Sequence, residues 1–313
     1  GTRRRQETGR PLSAPLAKKA KKEINEVPSR VPSDIIALKD WLKKQPHLEC
    51  VKPTDQWLVA FLRGGKFSLE KSKQKLDMYY SLKSIVPEFF ANRDPSGAEI
   101  FLPVFLPLIN PTKKQDAPRP CVVRIGAFDP SKYHLSDLIK VSFMVTEILM
   151  LEDDNFTVAG EEVIVDMKDV KFGVLSQWTP ALAKKVMSSF EKALPVRVKG
   201  THMLNTPVGF EAAYTIFKTF LTDKLKKRIR VHNQNYAAMH AVIPKASFPV
   251  EYGGDDGSLQ ELIDYWKAKV ESYRDWFLQQ DDVRSDETKR PGTPKTSTLL
   301  FGVEGSFRKL DVD

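Results

Sequence analysis

The sequence predicts an α/β protein: an N-terminal all-helical module followed by a domain with a mainly parallel β-sheet floor. Three observations carry this reading. The first ninety residues read as a series of capped helices. Beyond them, short apolar, β-branched runs alternate with helical stretches, and strands separated by helices need crossover connections, which give parallel pairing. The 313 residues, 41% hydrophobic and 28% charged, are ordinary for a globular chain and give room for one large domain or two modest ones.

The elements follow in order. Residues 11–30 read as a polar helix with Ser13 as its N-cap. A second helix is expected over 33–45, capped by Ser33, with an apolar stripe of Ile36, Leu38, Trp41 and Leu42. A third follows the Thr54 cap and stops at Gly64–Gly65, and a fourth over 68–84 carries Leu69, Leu76, Tyr79, Tyr80 and Leu82. Strands are expected at 121–128, 162–167, 196–204 and 228–232. Helices are expected at 135–151, at 179–193 with Pro180 in the first turn, and at 208–221. A turn at 249–254 precedes a helix over 258–280. Residues 281–297, polar with two prolines, read as a flexible linker, and the apolar last sixteen are expected to dock back on the body. The organisation expected is therefore a disordered or extraneous leader (1–10), the helical module (11–93), the sheet domain (94–255), a C-terminal helix (256–280), the linker (281–297) and the tail (298–313).

The net charge of +9 favours an acidic partner: nucleic acid, anionic lipid or acidic protein. Cys50 and Cys121, outside any CxxC pair, read as buried free thiols in a reducing compartment. No run of about 18 apolar residues and no secretory pattern occurs. Enzyme motifs such as GxSxG, HExxH, GxGxxG and the Walker loop are absent, and the five histidines lack metal-ligand spacing. His202 reads as a satisfied core histidine, Glu152-Asp153-Asp154 as a helix end and Glu161-Glu162 as a solvated turn. An enzyme is not expected, nor a metal or a cofactor.

Residues 184–232 concentrate the charge, with eleven Lys and Arg against three acidic side chains. Through them runs the apolar segment 208–221, too short to cross a bilayer. Its aromatics Phe210, Tyr214, Phe217 and Phe220 fall at helical spacings, making an apolar face, unlike the stacking platform nucleic-acid binding needs. An apolar helix bordered by cationic runs points to work at an anionic membrane surface.

The run DQWLVAFLRGGKFSLEKSKQKLDMYYSLKSIVPEFF, followed by RIGAFDP, SFMVTEILMLED, VIVDMKDVKF, TPALAKKV, LPVRVKGTHMLNTPVGF, FLTDKLKKRIRVH and FPVEYGG, resembles CRAL-TRIO lipid-transfer proteins of the tocopherol-transfer branch. The ending LFGVEGSFRKLD is similar to insect members. The resemblance implies a helical module on a sheet-floored lipid pocket closed by a mobile gate helix. The lipid wall is implied at Ile139, Ser142, Phe143, Thr146, Val163, Val165, Val186, Ser189 and Phe190. The gate is implied at Phe210, Ala213, Tyr214, Ile216, Phe217 and Leu221. Ser142 and Thr146 have two open readings, a hydrogen bond to a ligand hydroxyl or one back to their own helix.

A phosphoinositide site is implied at Arg197, Lys224 and Arg228, with Lys199, Lys227 and Arg230 close in sequence. Two positions depart from the branch: Gly65, where an arginine is usual and for which Lys66 is expected to substitute in the phosphoinositide site, and Glu161, where the pocket is apolar. The implied activity is a soluble, cytoplasmic, monomeric carrier that associates transiently with phosphoinositide-bearing membranes and binds one hydrophobic lipid. The cargo class is a tocopherol, retinoid, carotenoid or phospholipid. The alternative is a phosphoinositide-reading adaptor or sensor without cargo transfer; no nucleic-acid partner is expected.

Overall fold

The computed structural model describes residues 10–96, 103–109, 114–219 and 221–302. The helical module consists of α1 (Ala14–Ile24), α2 (Val31–Lys43), α3 (Asp55–Gly64), α4 (Leu69–Ile85) and the short α5 (Pro87–Phe90). Ser13 and Thr54 cap their helices by accepting from backbone N–H groups of the first turn, as expected, and Ser68 caps α4 in the same way. Ser33 does not cap α2. The helix starts two residues earlier, and the Ser33 hydroxyl donates to the Arg30 carbonyl inside the first turn at 2.8 Å. The α2 stripe is accordingly Ile35, Leu38 and Leu42, while Ile36 faces solvent.

The second domain runs β1 (Phe105–Pro107), β2 (Arg119–Arg124), α6 (Leu135–Glu152), α7 (Asp154–Ala159), β3 (Glu161–Asp166), α8 (Phe172–Gln177), α9 (Pro180–Lys192), β4 (Val198–Leu204), α10 (Phe210–Lys218), α11 (Asp223–Lys226), β5 (Ile229–Asn233) and α12 (Tyr236–His240). The sheet order is β1-β2-β3-β4-β5; β2 to β5 are parallel, and β1, which the sequence reading missed, pairs antiparallel at the edge. The expected strand 121–128 is shorter, because the chain turns into a 3-10 segment at Ile125–Ala127. The C-terminal helix is two, α13 (Leu259–Ser272) and α14 (Arg274–Gln280), meeting at Tyr273.

The two domains are joined through buried charge. Arg63 pairs in a fork with Glu26 (Nε–Oε2 and Nη2–Oε1, each 3.0 Å) and reaches Asp154 Oδ1 at 2.8 Å and Thr157 Oγ1 at 3.0 Å on α7. Fully buried Arg93 pairs with Glu147 of α6, which also accepts from the Tyr79 hydroxyl. A planar guanidinium suits such sites because it satisfies several acceptors at once.

Residues 281–297, expected as a loose linker, are fixed along α4. Asp77 receives Arg290 at 3.0 Å, Lys295 at 2.6 Å and His47 at 2.5 Å. Ser285 N donates to Tyr80 O at 3.1 Å, and Ser84 Oγ to Ser285 O at 2.5 Å. The strap ends in α15 (Ser297–Phe301), whose Phe301 is buried in the core and which packs on α9. Residues 303–313 of the expected tail, and 1–9 of the leader, lie outside the described residues. Cys121 is buried as expected, but Cys50 is exposed.

Candidate functional site

Strand alternation and register define the first part of the site. Val163 and Val165 of β3 lie at the same level as Cys121 and Val123 of β2, Thr201 and Met203 of β4, and Ile229 and Val231 of β5, on one face of the sheet. Except for Cys121, every one of these side chains keeps accessible surface, up to 48% at Val231. The other face holds Val122, Ile164, His202 and Leu204, all buried. Parallel sheets are normally covered on both faces. Here one face presents Val, Ile, Met and one Thr side chain that stay accessible. The sequence reading named Val163 and Val165; it missed Val123, Met203, Ile229 and Val231, which the alternation of β2, β4 and β5 together with the register would have supplied.

The expected walls divide into two groups. Ile139, Ser142, Thr146 and Val186 keep only a sliver of surface, and Phe190 is half-buried. Phe143 and Ser189 have no open surface. Phe143 is packed by Phe89 at 5.7 Å, Phe90 at 5.4 Å and Phe190 at 5.3 Å between ring centroids, at the joint of α5, α6 and α9. The Ser142 hydroxyl donates to Leu138 O, and that of Thr146 to Ser142 O, both at 2.8 Å. Ser189 does the same to Lys185 O at 2.7 Å. These hydroxyls spend their protons on their own helices.

α10 is shorter than expected, nine residues and about 13 Å long. Gly209, at φ 88°, is its N-cap and makes no side-chain bond; Val208 before it is fully exposed. Phe210 alone of the helix is buried, stacked on Tyr214 at 5.2 Å. Ala213, Tyr214 and Phe217 are half-buried, Phe217 meeting Trp178 at 5.7 Å, while Ile216 is 51% exposed. Leu221 is half-buried beyond the helix end. A helix with so little burial belongs to the weakly held part of a fold.

The second part of the site is cationic. Lys224 has a lowered pKa, first from partial burial and then from Arg228, Lys66, Lys199 and Arg197, so five of the expected cations share one place. Arg197 and Lys199 are lowered likewise, by burial first and by cationic neighbours. Glu23 of α1 is the carboxylate in the cluster, 3.0 Å from Lys199 Nζ and 3.9 Å from Arg197 Nη2. Arg197 also donates to Val158 O, and Arg228 Nη1 to Val198 O at 2.7 Å. Lys227 and Arg230 stand exposed nearby in the chain. Beside the cluster, a hollow of about 620 Å³ shares Glu23 and adds Lys18, Lys19 and Lys22.

The Gly65 departure has a steric cause. A Cβ there would meet Ser72 Oγ at 2.5 Å and Ser72 N at 2.9 Å, so an arginine does not fit this turn. Lys66 instead takes a left-handed conformation, φ 52°, and its charge reaches Lys224.

Glu161 is not in a solvated turn. It opens β3, is 4% exposed, and its Oε2 has no hydrogen-bond partner. His202 is a satisfied core histidine, with Nε2 2.9 Å from Glu162 Oε2 and Nδ1 2.9 Å from His232 Nε2. Among the described residues no cluster of three or more His, Cys, Asp or Glu side chains could hold a metal, and no helix is long and apolar enough to cross a membrane.

An open apolar sheet face beside a clustered cationic cleft has the two surfaces that an amphiphile, greasy at one end and anionic or polar at the other, requires of a protein. Residues 110–254 match the CRAL/TRIO domain and residues 27–100 the Pinta-like UBA domain. The chain is 30% identical over 271 residues to the alpha-tocopherol transfer protein-like protein of Homo sapiens, covering 86% of this chain and 78% of that one. To its Mus musculus counterpart it is 29% identical over 273 residues, with the same coverage. To clavesin-1 of Rattus norvegicus it is 27% identical over 245 residues, covering 78% of this chain and 69% of that one. The chain belongs to the CRAL-TRIO family, whose members bind hydrophobic lipids.

Proposed function

We propose that this protein carries one hydrophobic lipid between the open sheet face and α10 and hands it over at membranes bearing phosphoinositides. The observation that carries the reading is the sheet face of Val123, Val163, Val165, Met203, Ile229 and Val231, apolar and incompletely covered in the interior of a parallel sheet. A lipid that loses roughly 500 Å² of apolar surface there gains about 12 kcal/mol. Association entropy removes much of this, leaving micromolar to nanomolar affinity. The same gain makes release into water slow, so transfer calls for a membrane to receive the lipid.

The cationic cluster supplies the choice of membrane. Crowded positive charges with depressed pKa values are relieved by an incoming phosphate, and a phosphorylated inositol headgroup offers several. α10, apolar and sparsely buried, is the element placed to move aside and dip into the interface once the headgroup holds the cleft. The reaction is physical transfer; in this reading no covalent step is assigned to any side chain. Similarity to alpha-tocopherol transfer protein-like proteins makes a tocopherol-like cargo one candidate for this chain, beside retinoids, carotenoids and phospholipids.

The cationic cluster alone also supports an adaptor that reads headgroups without moving cargo, and one experiment separates the two. Native mass spectrometry of the purified protein, with organic extraction, yields a stoichiometric hydrophobic molecule from a carrier. Consistent emptiness after exposure to lipid vesicles supports the adaptor.

A further inference from the structure

We propose that the Glu161 carboxyl is the polar end of the lipid chamber and hydrogen-bonds a neutral hydroxyl or carbonyl on the cargo, selecting a lipid alcohol, aldehyde or ketone over a plain hydrocarbon or a fatty acid. The inference rests on the carrier reading and adds to it the chemistry of the cargo's head.

Within β3 the side chains alternate, so Glu161 shares its face with Val163 and Val165, the centre of the open apolar floor. It stands at the end where β3 begins, and its backbone N–H is held by Arg197 O at 2.8 Å. The arrangement is therefore an apolar floor leading up to one buried carboxyl. Burial pushes that carboxyl up from its ordinary 4.5 to about 7, with the Cys121 thiol's hydrogen bond acting the other way. At neutral pH a substantial share is the protonated acid, which donates one hydrogen bond and accepts another.

Oε2 is buried without a partner. A buried carboxyl oxygen without a partner is a destabilising feature, and the adjacent arginines do not relieve it. Arg119 is committed to Asp153, at 2.6 Å, and Arg197 to Glu23 and Val158 O. A cargo hydroxyl or carbonyl supplies the missing bond. A hydrocarbon leaves it missing, and a fatty acid sets a second carboxyl against the first, which a buried site disfavours. The serine and threonine hydroxyls expected to do this work bond their own helices, so the polar side chains this face offers a guest are Thr201 on the floor and Glu161, of which Glu161 carries the buried atom without a partner.

The test compares all-trans-retinol with anhydroretinol, a polyene without the hydroxyl, by fluorescence titration of the wild type, Glu161→Gln and Glu161→Ile. One hydrogen bond to a ligand is worth about tenfold in affinity, so the wild type prefers the alcohol by about that factor. Glu161→Gln, which keeps a donor and an acceptor, retains the preference. Glu161→Ile loses it while still binding anhydroretinol. A wild type that binds both polyenes equally overturns the assignment whatever the variants do, as does a Glu161→Ile protein that keeps the wild-type ratio. The lipid extracted from the wild type is expected to bear a hydroxyl or carbonyl head; a hydrocarbon or free-carboxylate cargo overturns the assignment and leaves the carrier reading standing. A wild type that binds neither probe and yields no lipid overturns the carrier reading itself.

Discussion

Removing Lys66 and Lys224 together tests the cationic cleft with the least damage to the fold. Both side chains are exposed, whereas Arg228 holds the start of β4 through Val198 O and Arg197 holds α7 through Val158 O. An effect of the latter two would mix recognition with stability. The cluster sets five cations against Glu23. Each basic residue near an anionic surface contributes about 1 kcal/mol. Two fewer therefore cost about 2 kcal/mol, or roughly thirtyfold in partitioning. The assay is co-sedimentation with phosphatidylcholine vesicles with and without phosphatidylinositol bisphosphate, repeated across a salt series. Lys66→Ala/Lys224→Ala should lose most of its preference for the charged vesicles at low salt. The gap to wild type should narrow as salt rises and the Debye length falls below about 10 Å. Binding of a fluorescent lipid should be unchanged. A double variant that sediments with phosphoinositide vesicles as the wild type does refutes the assignment of the cleft.

Three further outcomes are expected. Phe217→Asp, which breaks the contact with Trp178 and charges the apolar side of α10, should slow vesicle-to-vesicle transfer by roughly tenfold or more; transfer at the wild-type rate removes α10 from the mechanism. Glu161 has its pKa raised in the folded state, so its contribution is fully present below its ordinary 4.5 and is lost as pH rises through about 7. Stability should fall over that window by at most about 3 kcal/mol, a slope that Glu161→Gln flattens in pH-dependent urea unfolding and that, if unaltered, rules the group out as its source. Asp77→Ala leaves His47, Arg290 and Lys295 without their shared partner. It should cost about 3 kcal/mol and open residues 281–297 to trypsin, and a strap that stays resistant shows that other contacts hold it.

The sequence yielded the helical module and the parallel sheet because their signals are local: the Ser13 and Thr54 caps, and Val-rich runs between helices. What it did not yield depends on partners distant in the chain. The 281–297 segment is polar and looks loose, yet its cations meet Asp77 more than two hundred residues away. Glu161 beside Glu162 reads as a solvated pair, but strand alternation sends them to opposite faces, one into the apolar side and one to His202. Ser33 was misplaced as a cap because Pro32, which fits the first turn of a helix, had already started α2.

The cationic cluster was legible as composition and as resemblance, Lys66 included; what the structure adds is the left-handed backbone of Lys66 and the Ser72 contact that leaves no space for a side chain at Gly65. The open floor was half legible. Val163 and Val165 were named, while Met203, Ile229 and Val231 needed the register between strands.

The most direct measurement is methyl NMR of the protein loaded with a protonated lipid, with Val, Leu, Ile, Met and Ala methyls labelled. The account predicts intermolecular contacts from the lipid chain to Val163, Val165, Met203 and Ile229, together with a contact to the Ala213 methyl of α10. Contacts confined to exposed positions such as Ile36 and Leu299, with the sheet methyls unmoved by lipid, would contradict it.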